Sequence, residues 1–94
     1  MNKYNVATIK GVKKVKGFIF EINDYKVIMH DAIDNYNITI SDYYYGVELA
    51  ESINMKYVYE KAKNNLTKIT SDVYNKRMKG ILADNGIDFP VNEA

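Results

Sequence analysis

The residues of this chain that are best suited to binding chemistry are four lysines near its start, Lys10, Lys13, Lys14 and Lys16. Four ammonium groups this close together can neutralise several phosphates and release their counterions, which is the electrostatic basis of nucleic-acid binding. Base edges are usually read by the planar forks of Arg, Asn or Gln, and Arg77 is the only arginine. The cluster therefore predicts either a nucleic-acid contact that Arg77 assists, or a solvated lysine run that protects an exposed strand.

A second candidate is the stretch from 42 to 51, which is rich in tyrosine and acidic residues. Neighbouring strand residues point to opposite faces, so three consecutive tyrosines cannot all point inward, and at least one ring is expected to be exposed. Exposed tyrosines are enriched at protein interfaces and also stack on single-stranded bases. We therefore predict a partner-binding surface, or alternatively tyrosines that pack over the sheet edge. The residues of this surface are Asp42, Tyr43, Tyr44, Tyr45, Glu48 and Glu51.

Groups that could carry catalysis are few. Cysteine is absent, which excludes disulfides, thiolate zinc sites and cysteine nucleophiles, and no phosphate-binding glycine loop is present. We expect His30, the only histidine, to be half-exposed in a strand, with Asp31 and Asp34 as turn formers and not as metal ligands. Acid-base chemistry by Glu48 and Glu51 would need a cleft, and their spacing favours a solvated face. The sequence predicts no catalytic residue, cofactor or metal.

Composition and charge narrow the class of protein further. A chain of 94 residues with 47% hydrophobic and 27% charged content predicts one globular domain over 1–94. It has neither the apolar run of about 20 residues that a membrane span needs nor the apolar start of a signal peptide, so we expect a cytoplasmic protein. The net charge of +1 is a cancellation, because segments 1–16 and 53–82 each carry +5, whereas 17–52 carries −6 and 83–94 carries −3.

Alternating apolar residues predict the first elements of structure. The pattern is clearest over 17–31, where a two-residue turn at Asn23-Asp24 would pair Ile22 with Tyr25 and leave one face of a β-hairpin wholly apolar. The same alternation predicts a strand over 36–41 with Tyr36, Ile38 and Ile40 inward, a short strand over 47–50, and a strand over 4–9. Residues 11–16 are expected to form a loop or a further short strand. The N-terminal half is therefore predicted to be an antiparallel sheet of three to five strands.

After residue 52 the apolar residues recur every three or four positions, which predicts helix. Asn54 is a good N-cap, Gly86 can end the last turn, and the weak middle around Ser71 favours two helices within 55–85. The alternative is one helix about 46 Å long, which would need a second chain to cover it. In that case a homodimer would form through a seam of helix residues: Val58, Ala62, Leu66, Ile69 and Val73. The fold class that we predict is α+β, with the two C-terminal helices packed on one face of the sheet.

Three segments carry a resemblance to known proteins. Residues Tyr36 to Asp42, Gly46 to Ser52 and Tyr59 to Leu66 resemble a strand-turn-strand-helix unit of many small proteins from low-GC Gram-positive bacteria and their phages. Size and composition are also similar to small phage-encoded accessory proteins, among them anti-CRISPR proteins that block host nucleases by binding. The resemblance implies a protein that inhibits or modulates a host protein or protein–nucleic-acid complex in the host cytoplasm. The alternative is a nucleic-acid-binding accessory that uses the lysine cluster and the basic helices.

Overall fold

The chain forms a five-stranded antiparallel sheet followed by two helices, as described for residues 2–93 by a computed structural model. Each strand pairs with the next one along the chain. This arrangement confirms the predicted α+β class, and the number of strands is the highest in the predicted range. The elements are β1 (Asn2–Thr8), β2 (Gly11–Ile22), β3 (Tyr25–Asp31), β4 (Ile38–Asp42), β5 (Glu48–Ser52), α1 (Met55–Thr67) and α2 (Ser71–Asp84).

The hairpin of β2 and β3 has the register that the sequence predicted. Ile22 pairs with Tyr25 beside the turn. Asn23 and Asp24 both have positive φ angles, of 50° and 69°, as the tight two-residue turn requires. Residues 11–16 are not a loop, because they continue β2 as one strand of 12 residues that pairs with β1.

Strand β2 is too long to stay straight in a molecule of this size. Its twelve residues, joined by eleven steps of ~3.3 Å, would extend about 36 Å if the strand were straight, whereas the extent of the molecule along its longest principal axis is 30 Å. Near the middle of β2, Gly17 allows β3 to approach closely, since a Cβ atom there would lie 2.4 Å from the carbonyl oxygen of Met29. The sheet therefore curls, and the free edge of β1 reaches the turn between β4 and β5, where the Ala7 N–H donates to the Gly46 carbonyl at 2.9 Å.

The C-terminal segment fastens this curl. The Asn92 side chain accepts a hydrogen bond from the Asn5 N–H at 2.8 Å and donates to the Asn5 carbonyl at 2.7 Å. It also donates to the Tyr43 carbonyl at 2.8 Å. One buried amide side chain thus pairs with the free edge of β1 in place of a neighbouring strand and joins it to the β4–β5 turn.

The two faces of the curled sheet are covered differently. The side that we call the helix face packs against α1 and α2. The opposite side, the concave face, holds a smaller core of Val6, Ile28 and Tyr43 and is only partly filled. The main core on the helix face includes Ile22, Val27, Ile40, Ala50, Val58, Ala62, Leu66, Tyr74, Met78 and Leu82.

The prediction that Tyr36 points inward is wrong. Strand β4 begins only at Ile38, and Tyr36 is fully exposed in the loop before it. The Asn35 side chain accepts a hydrogen bond from the Asn37 N–H at 2.7 Å, which forms a local turn and keeps Tyr36 out of the strand.

Two separate helices are confirmed, and the single long helix is wrong. The Asn54 side chain caps α1 by accepting from the Tyr57 N–H at 3.0 Å, and Thr70, which lies next to Ser71 in the weak middle segment, caps α2. Val58, Ala62 and Leu66 pack within the chain's own core, so the continuous seam is not formed in residues 2–93, and a dimer through the helices stays a prediction. Neither described helix combines the length and apolarity that crossing a membrane requires.

Candidate partner-binding site on the concave face

The predicted tyrosine surface is largely interior. Tyr43 and Tyr45 are buried and Tyr44 is half-buried, which corrects the expectation that this turn presents exposed rings to a partner. Tyr43 belongs to the core of the concave face, whereas Tyr45 belongs to the core of the helix face. The expectation failed because the curl of the sheet covers both sides of the turn, so rings that point in opposite directions are both enclosed.

Asp42 is also interior and serves the turn. It is 3% exposed and accepts hydrogen bonds from the Tyr45 N–H, at 2.7 Å, and from the Tyr74 hydroxyl of α2. Burial raises the pKa of Asp42, and burial together with the Asp42 charge raises the pKa of Tyr74. This carboxyl group joins the β4–β5 turn to α2 and is not available to a partner.

Glu48 and Glu51 lie on the same face because β5 contains a bulge. In a regular strand, residues three positions apart point to opposite faces. The β4–β5 register shifts between Ile40 and Ser41, so that Leu49 becomes an extra residue and Glu48 pairs with Ser41. The bulge turns Glu48 towards the concave face, where Glu51 already points. The predicted solvated face is therefore part of a cleft, and bulges often re-aim side chains in this way beside functional sites.

An open cavity of about 310 Å³ occupies the part of the concave face that the small core leaves uncovered. We call it the concave cavity. Strands β1, β3, β4 and β5 and the loop between β3 and β4 all contribute to its walls. Its polar lining residues are His30, Asp34, Asn35, Thr39, Ser41, Glu48 and Glu51, with Thr8 at the edge. Partial burial raises the pKa of Glu48, and the nearby charge of Glu51 raises it further.

His30 lies in the lining of the cavity in one defined tautomer. Its Nδ1 atom is 2.7 Å from the Asp31 carbonyl oxygen, which can only accept, so Nδ1 carries the proton and Nε2 accepts from the Ser41 hydroxyl at 2.9 Å. Burial lowers the pKa of His30, and its 6% exposure corrects the predicted half-exposed position. The pair has the hydrogen bond of an activated serine, but Ser41 is 2% exposed, so its hydroxyl lies beneath the cavity surface.

Exposed apolar side chains border the concave cavity. Ile9, in the β1–β2 turn, is 88% exposed, and Ile33, in the β3–β4 loop, is 51% exposed. Both line the cavity, and the fully exposed Tyr36 belongs to the same loop as Ile33. An acidic recess with apolar residues at its edge has the mixture of polar and apolar contacts that protein interfaces use.

The predicted lysine cluster is divided by the register of β2. Strand alternation places Lys14 and Lys16 on the side of the helix face and Lys13 on the other side, while Lys10 lies in the β1–β2 turn. Arg77 lies on α2, where it lines a separate groove of about 670 Å³ beside β5. The structure therefore does not bring these five residues together into one patch.

Sequence reasoning missed two residues that accompany Lys14 and Lys16. Lys3 pairs directly with Lys16 across β1 and β2, an arrangement of like charges that destabilises a sheet. Phe18 is 56% exposed and follows Lys14 and Lys16 on the same face of β2. These four residues form what we call the lysine–phenylalanine face.

The chain is therefore an α+β protein whose curled sheet carries an acidic cavity on the side opposite its helices. Comparisons with family models, curated proteins and solved structures find no match to it.

Replacing Glu48 with Gln is expected to raise the melting temperature at pH 7 by about 2 °C and to leave it unchanged at pH 3. The pKa of Glu48 is raised in the folded protein, so wild-type stability decreases as the pH rises through that pKa. The effect is small because the side chain is exposed to screening by solvent. Thermal melts at both pH values test it, with Glu60→Gln on the exposed side of α1 as the control. An unchanged or lower melting temperature at pH 7 would contradict the partial burial of Glu48 beside Glu51.

Proposed function

We propose that this chain is a non-enzymatic binding protein that inhibits or modulates a host protein complex through contacts made by its concave face. The observation that carries the proposal is the bulge at Leu49, which places Glu48 and Glu51 in one cavity beside the exposed Ile9 and Ile33. A regular strand would separate the two carboxylates. Apolar residues around a charged recess supply both affinity and specificity at protein interfaces.

The resemblance to small phage-encoded accessory proteins supports a defence complex of the host, such as a CRISPR nuclease, as the target. The chain carries −6 over residues 17–52, but its net charge is +1. A mechanism based on local acidic contacts fits this distribution better than mimicry of a whole DNA surface.

Binding, and not catalysis, is the role that we assign to the cavity. The Ser41 hydroxyl is held by His30 below the surface, so a substrate carbonyl would have to displace the surrounding side chains to reach it. The same hydrogen bond pairs two buried side chains whose facing polar atoms would otherwise be unsatisfied, which is sufficient reason for the pair.

Charge reversal in the cavity is expected to weaken partner binding at least tenfold. The variant Glu48→Lys with Glu51→Lys places two positive charges in the recess, whereas Glu60→Lys with Asp84→Lys makes the same change in net charge on exposed helix residues outside it. Each protein is used to capture partners from nuclease-treated host lysate, and the captured protein is then purified and titrated by calorimetry. Equal affinity of the wild type and the cavity variant would show that the partner does not bind at the concave face.

A second function, contact with single-stranded nucleic acid, is favoured by the lysine–phenylalanine face. Its directly opposed lysines, Lys3 and Lys16, reduce sheet stability unless an anion lies between them, and Phe18 offers an exposed ring on which a base can stack. This surface and the concave cavity are on different sides of the sheet, so the two proposals can be tested separately.

The nucleic-acid proposal predicts that Lys14→Ala with Lys16→Ala weakens binding to single-stranded DNA at least tenfold. Lys10→Ala with Lys13→Ala removes the same charge from other positions and is the matched control. If the protein contacts three phosphates, a plot of the logarithm of the association constant against the logarithm of the salt concentration should have a slope of about −2. Fluorescence anisotropy over a salt series measures both quantities. Affinity that does not depend on salt would rule this function out, and equal losses in the two variants would exclude the lysine–phenylalanine face as its site.

A further inference from the structure

Three carboxylate side chains contribute negative charge to the lining of the concave cavity. Glu48 and Glu51 line it from β5, where Glu48 also borders the groove beside α2, and Asp34 lines it from the β3–β4 loop. The Glu51 carboxylate accepts only long hydrogen bonds, at 3.4 Å each, from the side chains of Asn35 and Asn37. Two carboxylates kept close together with weak partners are suited to a cationic ligand.

A second feature of the lining points to a missing hydrogen-bond donor or acceptor. Thr39 lines the cavity and is 2% exposed, and its Oγ1 atom has no hydrogen-bond partner within residues 2–93. Buried hydroxyl groups are nearly always paired, because leaving one unpaired costs free energy. Thr39 pairs with Glu51 on the neighbouring strand, so one ligand can reach both residues.

The kind of cation follows from the shape and chemistry of the lining. Within the described chain, no three carboxylate or histidine side chains are arranged to hold a metal ion. A volume of about 310 Å³ is at the lower limit of ligand pockets and suits one side chain better than a larger molecule. A guanidinium group is planar and has five N–H donors, so it can serve two carboxylates and a hydroxyl at once.

Building on the proposed function, we infer that the concave cavity is a socket for an arginine side chain of the partner protein. The guanidinium group binds Glu48 and Glu51, and a small displacement of the lining side chains lets it donate one N–H to Thr39 Oγ1, which is buried just below the cavity surface. The aliphatic part of the arginine and the residues next to it contact Ile9 and Ile33 at the edge of the cavity. Arginine is enriched among the residues that dominate the energy of protein interfaces, which agrees with this assignment.

A model compound tests the socket without the partner. N-acetylarginine amide is titrated into the ¹⁵N-labelled protein, and its neutral isostere N-acetylcitrulline amide is titrated in parallel. Saturable shifts are expected for the amides of Thr39, Ser41, Glu48 and Glu51 with the arginine compound alone. The variant Glu48→Gln with Glu51→Gln should bind at least tenfold more weakly, and Thr39→Val about threefold more weakly. Glu21→Gln with Glu60→Gln should bind like the wild type.

Three results would overturn the inference: no shifts in the cavity, equal shifts with the citrulline compound, or equal affinity for N-acetyllysine amide. The dispersion of the amide signals shows whether each variant is folded, and both Gln variants should fold because they remove charge and keep shape. If the partner's affinity depends on Glu48 and Glu51 although the arginine compound does not bind, the socket is wrong and the proposed function stands. If the compound binds but the partner's affinity is unchanged when Glu48 and Glu51 are replaced, the proposed function fails.

Discussion

Replacing Asp42 with Ala is expected to lower the free energy of unfolding by about 3 kcal/mol. The substitution removes the acceptor for the Tyr45 N–H at 2.7 Å and leaves the hydroxyl of Tyr74, which is 2% exposed, without its partner. An unpaired buried donor costs about 1–3 kcal/mol, and the lost turn contact adds to this. Part of the loss is offset because the variant no longer buries the Asp42 carboxyl, whose pKa is raised by that burial. Urea denaturation at pH 7 measures the change.

The matched variant is Tyr74→Phe, which removes only the hydroxyl and should cost about 1–2 kcal/mol. The double variant should be less destabilised than the sum of the two single variants, because they share one hydrogen bond. If Asp42→Ala costs less than about 1 kcal/mol, the description of Asp42 as the link between the β4–β5 turn and α2 is wrong.

Replacing Gly46 with Ala is expected to cost about 3 kcal/mol, for two independent reasons. Its φ angle is +68°, a conformation that a Cβ atom disfavours, and that atom would lie 2.7 Å from Val91 Cγ2 and 2.8 Å from the Ala7 nitrogen. The Ala7 N–H also donates to the Gly46 carbonyl at 2.9 Å, so the strain separates β1 from the turn. Since Ala7 and Thr8 line the concave cavity, partner affinity should fall along with stability.

Gly80→Ala is the matched control for this prediction. Gly80 is inside α2, and a Cβ atom there would meet no heavy atom within 4 Å. Alanine should therefore stabilise the protein by about 0.5–1 kcal/mol, because it favours helix. Denaturation curves of the two variants are compared under the same conditions. Similar effects in both would mean that the sheet does not close at Gly46.

Most of the fold could be predicted from local patterns. The register of the β2–β3 hairpin follows from Asn23-Asp24 and from alternation on both sides, since a shift by one residue would mix the apolar and polar faces. The break between the helices follows from poor helix formers and available caps around Thr70. The length of β2 and the role of Asn92 could not be predicted, because they depend on the curl of the whole sheet.

The candidate site was predicted less well, and its errors share one cause. Counting alternate residues assumes a regular strand with one solvated face. The bulge at Leu49 breaks this regularity and brings Glu48 to the side of Glu51. The curl encloses Tyr43 and His30 on the side that the hairpin pattern would leave open. A bulge has no reliable signal in a single sequence, so the carboxylates were identified but not the cavity that joins them.

Mapping where the partner binds on the labelled protein is the most direct test of whether the concave face is the binding site. Purified partner is added to ¹⁵N-labelled wild type, and the loss of amide signals is recorded residue by residue. Binding at the concave face predicts that Thr8, Ile33, Asn35 and Glu51 lose intensity first, while Lys14, Lys16 and Phe18 keep theirs. Loss at Lys14, Lys16 and Phe18 with the cavity signals intact would contradict it.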